Sequence, residues 1–303
     1  MQAENFFMEY SENEIHLHGI KRIVASLQTK YQKASIVDTH NYGRTLFLDD
    51  RVQSSERDSF IYHEALVHLP MLLHPSPRRV LVVGGGEGET LRTVLEHPGV
   101  ERAVMCDIDG ELVRLCARHL PEWSGGAFRD RRTKMVIDDA RAWLQRSKQK
   151  FDIIIIDLPE PVEGGPAIRL YTREFYKLVH SRLTEHGMIT LQAGTTKPGD
   201  TGMLGSIAWT IATSFPVVSI CQVNVPSFGL PWGLIFASKG IDPLTYSPSQ
   251  IDKLIAGRRL RKLRFYDGVA HQGMFALPRY LRQDLCRKHQ VISDKKALVA
   301  RFK

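Results

Sequence analysis

Near the start of the chain apolar and polar residues alternate, and from residue 79 onward the pattern changes to continuous apolar runs separated by helical periodicity. Residues 13–53 contain IHLHGIKRIVASLQ and then KASIVDTHNYGRTLFLDDRVQ. NYGR and DD are turn signals, so this region predicts a small antiparallel sheet of hairpins. DSFIYHEALVHLPMLL follows, with Phe60, Leu66, His68 and Leu69 at mixed helical spacing, and HPSPRR then breaks the chain.

Beyond the break, VLVVGGGEGE reads as a buried strand entering a glycine-rich turn, and TLRTVLEH as a helix. RAVMCDID, KMVIDDA, FDIIIID and GMITLQA read as further strands, separated by the helical segments ELVRLCARHL, ARAWLQRS and TREFYKLVHSRL. Strands alternating with helices predict an α/β fold with a doubly wound, mostly parallel sheet, Rossmann-like and methyltransferase-like. FDIIII is apolar throughout, as expected of a strand covered on both faces. The division expected is an N-terminal β-hairpin domain over residues 1–70 and a catalytic domain over 71–303 that ends in a basic helical tail. No internal repeat or low-complexity segment interrupts it.

Composition adds limits. The chain is 43% hydrophobic and 24% charged, ordinary for a globular protein with a real core. No apolar run approaches the roughly 18–20 residues of a membrane helix. The start, MQAENFFMEYSENE, is acidic where a signal peptide would be basic and then apolar. Cys106, Cys116, Cys221 and Cys286 show no CxxC spacing, so neither a zinc site nor a disulfide framework is suggested, and a reduced, cytoplasmic protein is expected. The net charge of +8 is local: residues 251–303 hold 14 basic and 4 acidic side chains, and the other 250 residues hold 27 and 29. Without an aromatic–basic recognition motif the tail reads as solvated helix faces, so neither a nucleic-acid nor a membrane partner is expected.

Ligands of open parallel sheets bind beyond the carboxyl ends of the strands. Four consecutive strand ends here carry acids: Glu87 in the glycine turn, Asp107 with Asp109, Asp138 with Asp139, and Asp157 with Glu160. GGGEGE does not satisfy GxGxxG, and a glutamate in that turn would repel a pyrophosphate. The turn therefore suits a nucleoside without phosphates, and better a cationic one. Asp107, following Gly84 at dinucleotide-fold spacing, is placed to accept from both ribose hydroxyls, and Asp139 from an exocyclic adenine amine. A single aspartate at a strand end is more often a helix cap, and Asp109 fits that role before ELVRLCARHL. Four acidic ends converging on one rim would repel each other, and a positively charged ligand would relieve that repulsion.

Taken together, YGRTLFLDDRVQSSERDSFIYHE, HPSPRRVLVVGGGEGE, CDID, IDDA and FDIIIIDLPEP with LYTREFY resemble the polyamine aminopropyltransferases, the spermidine/spermine synthase family. The resemblance spans residues 14–290. It implies transfer of a 3-aminopropyl group from decarboxylated S-adenosylmethionine, a co-substrate, to an amine, with release of 5′-methylthioadenosine and with neither metal nor cofactor. On the donor side it implies Gln32, His63, Gly84, Gly86, Glu87, Asp107 with Ile108, Asp139 with Ala140, and Asp157, which is also the base. On the acceptor side it implies Gln53, Tyr62, Glu160, Phe228 and Trp232. The segment from Leu158 to Tyr171, with Gly164, Gly165 and Pro166, resembles the family's gatekeeping loop. A homodimer or homotetramer assembled through the hairpin domain is implied as well.

The chemistry agrees with those roles. Displacement beside a sulfonium needs a neutral amine, so a carboxylate must take the proton and leave a lone pair aimed at carbon. Acids also disfavour intact S-adenosylmethionine, whose carboxylate would face Glu87 and Asp157. Three departures from the diamine-type pattern stand out: Glu87 where many members have Asp, DLPE in place of DSSD or DSTD, and Phe228 where diamine users have Tyr. GGGEG, VPSF with WG, and RFYDGVAHQGMF look closer to the thermospermine synthase and thermophilic triamine/agmatine branch. They favour a long acceptor such as spermidine, giving spermine or thermospermine. Putrescine or agmatine remains the alternative, and an S-adenosylmethionine methyltransferase is the remoter one.

Overall fold

The computed structural model describes residues 5–10, 15–161 and 164–298. The first unit is a five-stranded antiparallel sheet in sequential order: β1 (Asn5–Tyr10), β2 (Ile15–Gln28), β3 (Lys33–Thr39), β4 (Gly43–Leu48) and β5 (Arg51–Ser55). The NYGR and DD turns close as expected, with Gly43 and Asp49–Asp50 at positive φ. Residues 13 and 14 of the expected hairpin region lie outside the described residues. The acidic start, given no element from sequence, contributes β1, which pairs with β2.

The second unit is a seven-stranded sheet. Its strands are β6 (Arg79–Gly84), β7 (Arg102–Asp107), β8 (Thr133–Ile137), β9 (Phe151–Asp157), β10 (Leu183–Thr195), β11 (Val217–Asn224) and β12 (Pro231–Ser238). The order is β11-β12-β10-β9-β6-β7-β8; β12 runs antiparallel to both its neighbours, β11 and β10, and the other pairings are parallel. β9 is the middle strand, and its isoleucines divide strictly by parity. Ile153 and Ile155 enter one core with Val80, Val82 and Met105. Ile154 and Ile156 enter the other with Leu81, Val83 and Val104. This two-sided burial, roughly 1.5–3 kcal/mol for each side chain, is why the run is apolar without alternation.

Helices cover both faces. α1 (Ser59–Leu73), α2 (Glu89–Leu95), α8 (Pro248–Gly257) and α9 (Gly268–Phe275) build the first core, and α5 (Ala140–Arg146), α6 (Arg173–Ser181), α7 (Gly202–Ala212) and α10 (Arg279–Leu285) the second. α3 (Gly110–His119) and α4 (Pro121–Ser124) turn Leu112, Cys116, Leu120 and Trp123 against Ala34, Ile36, Leu46 and Leu48, so the small sheet lies over the end of the large one. α1, grouped with the hairpin unit from sequence, buries Leu66 and Leu69 against the large sheet. The basic tail is not a free appendage. Ile251, Tyr266, Met274, Leu281 and Ile292 are core residues, Arg264 stacks on Phe60 at 3.7 Å, and Glu64 accepts from the Arg264, Phe265 and Tyr266 N–H groups. Residues 299–303 of that tail lie outside the described residues.

Asp58 joins the small sheet to the β11–β12 connection. Its buried carboxylate accepts from Ser55 Oγ at 2.6 Å, Ser227 N at 2.7 Å and Ser227 Oγ at 2.8 Å. Asp58→Ala would leave a buried Ser227 N–H without an acceptor, at a cost of about 2–3 kcal/mol. Urea unfolding should show that loss, with Asp58→Asn intermediate, and an unchanged midpoint would contradict the link.

Candidate functional site

Strand order reverses between β6 and β9, and the crevice outside their carboxyl ends is the site. Gly84 and Asp157 are register partners there, and Gly85 N–H donates to the Asp157 carbonyl at 3.0 Å. Gly84 has φ +80°, and a Cβ on it would collide with the Asp157 carbonyl oxygen. A Cβ on Gly86 would stand 3.0 Å from Asp107 Oδ2. Gly84 is thus required by the Asp157 backbone pressing on the turn, and Gly86 is tightly confined by the Asp107 carboxylate, with no phosphate invoked.

One cavity runs along this crevice. Of the donor-side residues expected from sequence it is lined by Gln32, Gly84, Gly86, Glu87, Asp107, Ile108, Asp139, Ala140 and Asp157. All the acceptor-side ones, Gln53, Tyr62, Glu160, Phe228 and Trp232, line it too. His63 does not: it is 1% exposed and stands behind Glu87, facing a second, charge-compensated cleft.

The acids divide by role. Asp107 accepts from Asp109 N–H at 2.8 Å, and burial pushes its carboxyl up to about 6 against the pull of that bond. Asp109 caps α3 through Glu111 N and Leu112 N, as its position suggested, and its other oxygen receives Thr29 Oγ1 at 2.6 Å and Gln32 Nε2 at 3.1 Å. It therefore aims Gln32 at the cavity. Asp139 caps α5 through Ala142 N at 2.8 Å while still lining the cavity, and Asp138 is turned aside to Arg146.

Asp157, at the end of the middle strand, accepts from Tyr62 OH on Oδ1 at 2.8 Å and from Thr90 Oγ1 on Oδ2 at 2.6 Å. Glu87 accepts from Ser54 Oγ at 2.6 Å and lies 3.0 Å from His63 Nε2. On the other side of the ring, His63 Nδ1 lies 2.9 Å from the Ser59 carbonyl and 3.5 Å from Glu89, which also pairs with Arg92 at 2.7 Å. Burial alone would keep that ring neutral, but Glu89 and Glu87 outweigh it and raise its pKa to about 9. Burial pushes Glu87 up in turn, and His63 beside it draws it partly back. His63, Glu87 and Glu89 are a set of three possible metal ligands among the described residues. The two carboxylates address opposite ring nitrogens, however, and a clamped imidazolium describes the geometry better than a shared ion.

On the acceptor side Phe228 meets Tyr62 and Trp232 edge-on, with centroids 5.9 and 5.2 Å away. It is at once cavity wall and packing. Gln192 organises this side and was missed in sequence. It donates to the Leu158 carbonyl at 2.7 Å and accepts from Trp232 Nε1 at 3.2 Å and Gly194 N at 2.9 Å. A glutamine inside the apolar strand GMITLQA was the available signal. Thr90, Glu89 and Ser54 carry no such signal, since each is ordinary at a turn or helix start.

Residues 59–245 match the spermine/spermidine synthase domain, and residues 5–56 match the spermidine synthase tetramerisation domain. The chain belongs to the spermine/spermidine synthase family. A polyamine aminopropyltransferase 2 of Hyperthermus butylicus is 44% identical over 94% of this chain and 93% of that protein. A polyamine aminopropyltransferase of Sulfurisphaera tokodaii is 39% identical over 92% of each chain. Among solved structures, a spermidine synthase in complex with the transition-state analogue AdoDATO superposes with a TM-score of 0.87 at 32% identity, over 94% of this chain and 96% of that one. The spermidine synthase of Thermotoga maritima gives 0.85 at 32% identity, over 94% and 95%.

The clamped His63 makes stability depend on pH in this family member. Its folded pKa of about 9 exceeds the ordinary 6.5, so its contribution is complete below 6.5 and is lost as pH rises through 9. The denaturation midpoint of the parent should fall over that window, and His63→Gln should flatten the slope. An equal slope in both proteins would contradict the ion pair.

Proposed function

We propose that this chain moves the 3-aminopropyl group of decarboxylated S-adenosylmethionine to a long amine such as spermidine, releasing 5′-methylthioadenosine. The observation that carries this reading is the crowding of Asp107, Glu87 and Asp157 into one cavity. The likeness to a spermidine synthase holding AdoDATO supports the same donor. In this reading Asp107 and Asp139 bind the nucleoside with Gly84, Gly86, Ile108, Ala140 and Gln32. Glu87 holds the aminopropyl ammonium, with His63 orienting it from behind. The acceptor nitrogen attacks the carbon attached to sulfur, the C–S bonding pair neutralises the sulfonium, and Asp157 takes the nitrogen's proton. Glu160 holds a more distant ammonium beside Tyr62, Phe228, Trp232 and Gln53.

An acceptor longer than a diamine is favoured by Phe228, which offers no phenol to end the channel, and by Leu158 and Pro159 in the wall. We further propose that the loop 158–171 closes over the site; residues 162 and 163 of it lie outside the described residues. A homodimer or homotetramer is supported by the match of the small sheet to a tetramerisation domain and by its exposed Phe6, Met8, Ile15, Leu17 and Ile23. No helix among the described residues is long and apolar enough to cross a membrane. Four free cysteines fit a cytoplasmic setting.

Decarboxylated S-adenosylmethionine should be offered with putrescine, agmatine, spermidine and norspermidine together, and the products separated by chromatography. Spermidine consumption matched by methylthioadenosine release is expected. Preferential use of putrescine or agmatine would reassign the acceptor, and methyl transfer from S-adenosylmethionine without methylthioadenosine would overturn the reading. Asp157→Asn should lower turnover by about a thousandfold while methylthioadenosine still binds.

A further inference from the structure

Threonines inside helices commonly return their hydroxyl to their own backbone, and Thr93 does so, donating to the Glu89 carbonyl at 2.9 Å. Thr90, three residues earlier on α2, does not. It is fully buried, and its hydroxyl leaves the helix to donate to Asp157 Oδ2 at 2.6 Å. The other oxygen, Oδ1, receives Tyr62 OH at 2.8 Å. Tyr62 lines the substrate cavity and Thr90 does not, so the two hydroxyls grip the carboxylate from opposite sides. Oδ2 is confined further by the turn: a Cβ on Gly85 would lie 3.3 Å from it and 3.6 Å from the Thr90 Cβ.

We propose that Thr90 is a positioning residue for the transfer reaction, fixing the Asp157 carboxylate from behind so that Oδ1 faces the acceptor nitrogen. This rests on the reading of Asp157 as the base. Thr90 Oγ1 holds Oδ2, so losing the hydroxyl lets the carboxylate turn and costs alignment at the reacting atoms rather than binding of the donor. Tyr62 holds Oδ1 in parent and variant alike, so a loss of turnover with binding kept reports the Thr90 hydroxyl.

The test is kcat and donor KM of Thr90→Val with decarboxylated S-adenosylmethionine and spermidine, beside Thr90→Ser and Asp157→Asn. Thr90→Val should lower kcat on the order of tenfold, with the donor KM within about twofold of parent. Thr90→Ser should restore kcat. Parental kcat in Thr90→Val, or equal impairment of the serine variant, would overturn the proposal. If Thr90→Val fails to bind methylthioadenosine, Thr90→Cys decides, since its thiol keeps the shape with a weaker donor. A lowered kcat with parental donor KM then supports the role and a parental kcat overturns it. Activity retained by Asp157→Asn would instead remove the base reading itself, whatever the Thr90 variants do.

Discussion

The close approach of the Gly84–Gly85 turn to the carboxyl end of β9 is the constraint on which the site depends. Hydrogen-bonded register between Gly84 and Asp157 brings the first and the middle strand ends together at the reversal of strand order. Any side chain at Gly84 would push Asp157 away. That contact in turn fixes Glu87, three residues after Asp157's strand partner Gly84, and starts α2 where Thr90 reaches the same carboxylate. The two-sided isoleucine core anchors the strand that ends in Asp157, as the proposed role of that carboxylate as a base requires.

The electrostatics follow from that geometry. Five carboxylates, Glu87, Asp107, Asp139, Asp157 and Glu160, line one cavity, and burial raises Asp107 and Glu87. Relief comes from behind, through the His63 cation held between Glu87 and Glu89, and from hydroxyl donors at Ser54, Tyr62 and Thr90. The front of the site retains its negative field. A ligand that brings its own ammonium completes the balance, whereas one that brings a carboxylate beside that ammonium adds repulsion. Affinity and donor choice thus arise from the same charges.

Much of this was legible in the chain. The period-two hairpins, the alternating strands and helices, and the acids at four strand ends are local patterns, and they pointed to the sheet, the crevice and the acids along it, whereas Gln32, Gln53, Tyr62, Phe228 and Trp232 were implied by the family resemblance alone. What could not be read were contacts made across long sequence separations. His63 sits beside a motif residue yet faces away from the cavity, Gln192 hides in an apolar strand, and Asp58 ties the small sheet to Ser227. The basic tail misled for a related reason. Its charge is visible in sequence, but the buried Tyr266 and Ile292 that dock it lie in short apolar pairs between charged stretches and leave no periodic signal.

The central claim is that carboxylates gathered at the β6–β9 crevice select a cationic nucleoside lacking a carboxylate. Calorimetric affinities of decarboxylated S-adenosylmethionine, intact S-adenosylmethionine and methylthioadenosine, measured on the parent and on Glu87→Gln, address it directly. The account predicts tightest binding of the decarboxylated donor, weakest binding of the intact one, and a narrowed gap between them in Glu87→Gln. Equal affinity of the parent for the two sulfonium compounds, or a gap untouched by the substitution, would contradict it.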